Sequence, residues 1–95
     1  MAGNMQLQAG MDIADLNAEY GYPATALVFQ VQNTQTKIHF IWYNGAPGTS
    51  FNNAPNGSIL VDMAASAPIL YAKDYGTNGI GGKDGTWHYS AAMSS

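Results

Sequence analysis

The hydrophobic and polar positions follow two periods. Over residues 12–20 (DIADLNAEY), Ile13, Leu16 and Tyr20 recur at i, i+3 and i+7, which predicts one face of a short helix. Asp12 suits the N-cap position, and Asp15 stands three residues on as an imperfect capping-box partner. Gly21 supplies a C-terminal stop, and Pro23 forbids continuation. A helix this short is marginal in water, so it needs a surface to pack on. From Ala24 the period becomes two. In TALVFQVQ, Leu27, Phe29 and Val31 point one way while Val28, Gln30 and Gln32 point the other. In KIHFIWY, Ile38, Phe40 and Trp42 oppose Lys37, His39, Ile41 and Tyr43. Each run reads as a half-buried strand, and the short NTQT turn between them predicts an antiparallel hairpin.

The second half is more broken. Residues 44–57 form the longest irregular stretch, punctuated by Gly, Pro and Asn, with Phe51 as an aromatic suited to anchor it. Two short strands follow, at 58–62 and 69–73, joined by MAASAP. A Gly-rich loop spans 74–85, and a last strand at 86–90 carries Trp87 and Tyr89 on one face. These elements predict a mainly β protein: a small antiparallel β-sandwich or barrel-like domain over 12–95 with one short N-terminal helix. Residues 1–11 read as a flexible N-terminal arm, in which Met5, Leu7 and Met11 are candidates to dock on a neighbour.

Composition sharpens this picture. The chain has 95 residues, enough for one domain with a thin margin of core stability. It contains no cysteine, so disulfides and thiolate zinc sites are excluded, and oligomerisation is the commonest remaining device for stabilising a small domain. Only 9% of residues are charged, against a usual share of about 25%. There is no arginine, the only basic side chains besides histidine are Lys37, Lys73 and Lys83, and the formal net charge is −3. Such a chain cannot neutralise many phosphates and has no polybasic footprint, so neither nucleic acid nor a membrane is expected as a partner. No run of 18 or more apolar residues occurs, and Met1–Gly10 lacks the basic and apolar regions of a secretory signal, which predicts synthesis in the cytoplasm. Low charge beside 46% hydrophobic content predicts a surface meant to be covered.

Candidate chemistry is thin. The Gly-rich loop fails as a Walker A motif, because Asp84 follows Gly82-Lys83 and Thr77 occupies the first glycine position. It fails as GxGxxG because Asp84 replaces the third glycine. Its glycines are instead expected to supply positive φ. His39 and His88 lie in strands beside aromatics, with no spacing that links them to a nucleophile or an orienting acid, so satisfied sheet histidines are expected. Asp62, Asp74 and Asp84 suit Asx turns and loop ends. No catalytic residue, cofactor or metal is expected. Tyr43, Phe51, Tyr71, Tyr75, Trp87 and Tyr89 exceed what so small a core requires, and Tyr43, Phe51, Tyr75 and Trp87 are the interface candidates among them.

Residues 55–90 carry one further pattern. A strand of the form P-x-G-S-I-x-x-D leads through a short turn to an L-Y-x-K strand, a Gly-rich loop and a terminal Trp strand. Gly57, Ser58, Ile59, Asp62, Leu70, Tyr71, Lys73 and Trp87 hold these positions. This resembles phage head-decoration and fibre proteins over about 40% of the chain. It departs from them at the turn, where MAASAP with Pro68 replaces a tighter Gly or Asn turn. The resemblance implies a non-catalytic virion protein, assembled as a homotrimer, that attaches to the major capsid protein at the capsid surface. With no coiled-coil or collagen-like stalk in the chain, it favours a decoration or cement protein. The alternative is a receptor- or glycan-binding fibre tip, carried by Tyr75, Trp87 and the Gly-rich loop.

Overall fold

A computed structural model of the chain describes residues 6–7, 13–32, 37–64 and 66–89. Helix α1 (Ile13–Tyr20) ends where expected. Gly21 adopts φ 76° and its N–H donates to the Asn17 carbonyl (2.7 Å), a left-handed stop that glycine reaches without strain. The strands are β1 (Gln6–Leu7), β2 (Leu27–Gln32), β3 (Lys37–Tyr43), β4 (Ile59–Asp62), β5 (Ile69–Lys73) and β6 (Trp87–Tyr89). The short β1 adds to the chain's own sheet, pairing Leu7 with Val31. Met5 and Met11 lie outside the described residues, as do the side chains of Leu7 and of the cap candidate Asp12.

The mainly β architecture is as expected, but no sandwich or barrel forms among the described residues. The strands make one open sheet in the order β1-β2-β3-β4-β5-β6. Four of the pairings are antiparallel, including the β2–β3 hairpin with Phe29 opposite Phe40 and the β4–β5 pair with Ile59 opposite Ala72. The exception is β3–β4, which is parallel, with Phe40 level with Ile59. A parallel neighbour cannot be reached by a tight turn, so the chain must cross one face of the sheet. Residues 44–58 make that crossing, which is why this long segment is ordered around Phe51 rather than looped into solvent.

The second layer is therefore not another sheet. Leu16 and Tyr20 of α1, Tyr22, Ala26, Phe51 and Ala54 pack on Val28, Ile41 and Leu60 of the sheet. Phe51 sits at the centre, fully buried, with Tyr22 and Tyr43 at ring-centroid distances of 5.1 and 5.0 Å. Tyr20 and Tyr22 stack at 5.5 Å, and Tyr20 meets His39 edge-on at 4.6 Å. Edge-to-face and offset contacts of this kind are the favourable geometries for aromatic rings.

Candidate functional site

Strand alternation divides the sheet into two unlike faces. The covered face carries Val28, Gln30, His39, Ile41, Leu60 and Asp62, all buried. The opposite face carries Leu27, Phe29 and Val31 of β2, Ile38, Phe40 and Trp42 of β3, Ile59 and Val61 of β4, and Leu70 and Ala72 of β5, as the register requires. No second layer packs over it among the described residues, although Tyr75 stands beside Ile38 and Ile59 at one end and six of the ten positions are half-buried. Leu27, Phe29 and Trp42 are 45%, 42% and 40% exposed. Phe29 and Trp42 meet in a T-shaped pair at 5.8 Å, so even the protruding rings are held by each other. The strand positions of this face carry no Asp, Glu or Lys. Its one titratable residue is His88 at the β6 edge, which pairs with Asp74 at 2.6 Å. Exposed apolar patches of a few hundred Å² are often functional, which makes this face the candidate site.

The buried polar groups behind it are structural. His39 lies between Tyr22 Oη, 2.6 Å from Nδ1, and Gln30 Oε1, 3.3 Å from Nε2. A neutral imidazole has one donor and one acceptor. With the Gln30 oxygen facing Nε2, that nitrogen donates, and Nδ1 accepts the Tyr22 hydroxyl proton. Burial, then Lys37 and Lys83, push the His39 pKa down to about 4. Tyr22 shifts the other way, held above the ordinary phenol value first by burial, then by Tyr20 and Glu19. His39 and His88 occupy opposite faces of the sheet, so no single site can use both.

The Gly-rich loop is organised by two side chains from the resemblance-bearing segment. Lys73 is buried and donates from Nζ to the carbonyls of Asn52 (2.9 Å), Ala54 (2.7 Å) and Lys83 (2.9 Å). Three ammonium protons thus meet three carbonyls, and burial holds the pKa below the ordinary lysine value. Asn56, also buried, donates from Nδ2 to the Tyr75 and Gly79 carbonyls (2.9 and 2.8 Å) and accepts the Gly85 N–H at Oδ1 (2.7 Å). The aspartates act as loop fasteners, as expected. Asp62 accepts from the Gly45 and Ala64 N–H groups, Asp74 from Gly76 and Thr86, and Asp84 from Thr77 and Asn78. Hydrogen bonds hold the Asp74 and Asp84 carboxyls below the usual carboxylate range, the largest from His88 and Asn56 respectively. Gly76 and Gly79 take φ 53° and 73°, the positive φ expected of this loop.

The interface candidates are scattered. Phe51 is an internal anchor with no exposed surface, and Tyr43 packs half-buried against it. Tyr75 is exposed and Trp87 half-buried, but they line different grooves. Trp87 shares one of about 430 Å³ with Tyr71, Pro47, Asn52 and Thr86, whereas Tyr75 shares one of about 390 Å³ with Ile59, Ala72 and His88. Sequence reasoning missed the apolar face itself, although its residues alternate plainly. The missing fact was which face the crossing segment would cover.

No protein-family model matches the chain, and neither a curated protein nor a solved structure is detectably similar to it.

Proposed function

We propose that this chain is a non-catalytic structural protein of a phage virion, which decorates and stabilises a capsid by binding the major capsid lattice as a homotrimer. It would be made in the host cytoplasm and end on the capsid surface. The observation that carries the reading is the uncovered apolar sheet face: a folded unit that leaves Leu27, Phe29 and Trp42 in solvent is completed by association. The resemblance in residues 55–90 supplies the virion context. Several of its positions have a local physical reason, since Gly57 takes φ 91°, Ser58 Oγ accepts the His39 N–H and Lys73 fastens the loop. A ligand that binds the assembled lattice and not its free subunits stabilises the lattice by mass action.

The test is co-sedimentation with purified capsid shells that lack the protein. Saturable binding together with a raised shell melting temperature is the expected result. A chain that stays in the supernatant at every concentration refutes the capsid reading. The groove at Tyr71 and Trp87 favours a second reading, a glycan-binding tip, because aromatic faces beside polar Asn52 and Thr86 suit a sugar ring. Saturable change in tryptophan fluorescence with oligosaccharides would select it.

A further inference from the structure

The apolar face has an internal asymmetry that bears on what covers it. We propose that its occupant is the same face of another copy of this chain, packed half on half: the aromatic β2–β3 half of one copy against the aliphatic β4–β5 half of the next. This rests on the reading of the chain as an assembling protein and identifies the contact.

The register lays the side chains in level rows. One row runs Phe29, Phe40, Ile59, Ala72 across β2 to β5, and the adjacent row runs Leu27, Trp42, Val61, Leu70. In both rows the rings lie on β2–β3, and β4–β5 carries only aliphatic side chains. A symmetry axis parallel to the strands keeps each row level with itself and reverses the strand order. Phe29 of one copy then meets Ala72 of the next and Trp42 meets Val61, while Phe40 meets Ile59 and Leu27 meets Leu70. Large opposite small is the condition for two sheets to interdigitate at about 10 Å separation. A two-fold axis satisfies it, since each half finds its complement in the partner and the pair closes.

Charge and area agree. The strand positions of this face have no Asp, Glu or Lys with which to select a charged partner, and an uncharged face is complementary to itself. Four strands at about 4.8 Å spacing and five residues at about 3.4 Å each give roughly 330 Å² of footprint. Two such faces cover roughly 660 Å² before side-chain relief is added, which brings the total towards the roughly 1,000 Å² at which a biological interface begins.

The experiment is light-scattering mass of the full chain across a wide concentration range, for the wild type, Phe29→Ala, Ala72→Phe and the double variant. Ala72 is exposed, so the larger side chain fits the free subunit, and far-UV circular dichroism checks that each variant folds. The wild type is expected to form a closed oligomer. Each single change should raise its dissociation constant about tenfold or more, by a void or by overpacking. The double variant should recover most of the loss, because the ring has moved across the contact. A monomeric wild type overturns the proposal, as does a mass indifferent to Ala72→Phe or a double variant no better than the singles. So does a monomer that instead floats with neutral lipid vesicles. A monomer that still binds capsid shells overturns this contact and leaves the capsid reading standing; a stable oligomer that ignores shells does the reverse.

Discussion

Acidification offers a direct test of the buried polar layer. His39 is fully buried between Tyr22 and Gln30, and its pKa falls from 6.5 to about 4 on folding. The unfolded chain therefore binds the proton more readily than the folded one between those values. Stability rises with pH wherever the unfolded state holds more protons. The contribution is fully present above about pH 6.5 and is lost as pH falls towards 4. One proton per molecule gives a slope near 1.4 kcal/mol per pH unit within the window. The loss is about 2 kcal/mol by pH 5 and about 3 kcal/mol by pH 4, relative to pH 8. Against the roughly 5–14 kcal/mol expected for a domain of this length, that is a large fraction. Asp74 and Asp84, whose carboxyls titrate below their usual range, add their own losses only at lower pH. The assay is urea unfolding by tryptophan fluorescence at several pH values, with protein concentration held constant because association shifts apparent stability. His39→Gln removes the titrating group and should flatten the profile between pH 6.5 and 4.5. A wild-type profile already flat across that window would refute the claim that His39 is held neutral.

Two further outcomes test the loop architecture. Lys73→Met keeps the length of the side chain but leaves the Asn52, Ala54 and Lys83 carbonyls without their donor. A loss of about 2–4 kcal/mol in urea unfolding is expected, and an unchanged midpoint would show the clamp to be dispensable. Gly85→Ala would set a Cβ onto the Asp74 carbonyl oxygen and against Asn56 Oδ1, neither of which can move without breaking the loop. A loss of about 3 kcal/mol or failure to fold is expected, read by thermal melting.

Much of the local structure was legible in the chain. Alternation located β2 and β3, and Gly, Pro and Asn clusters bounded the short strands at 59–62 and 69–73. Gly21 marked the helix end, and the aspartates read correctly as loop fasteners. These are properties of a few neighbouring residues, and the backbone enforces them wherever the segment lies. The site was less legible. Met5, Met11 and the side chain of Leu7 lie outside the described residues, and Phe51 reads as an interface candidate from its place in the long loop. Phe51 instead holds the core together, while the exposed large apolar residues include Leu27, Phe29 and Trp42 of the open sheet face as well as Met63, Ile80 and the candidate Tyr75.

The reason lies in pairing at long range. Period-two alternation says that a strand has two faces, and on amphipathicity alone the Leu27–Phe29–Val31 side would be the one to bury. The parallel β3–β4 pairing forces residues 44–58 across the sheet, and that segment brings Phe51 onto the Val28–Ile41–Leu60 side. His39 can be buried there because Tyr22 and Gln30 meet its two ring nitrogens. By itself the sequence determined the strands, the stops and the scarcity of charge. Only the tertiary structure decided which face the crossing would cover, and so which apolar face was left open.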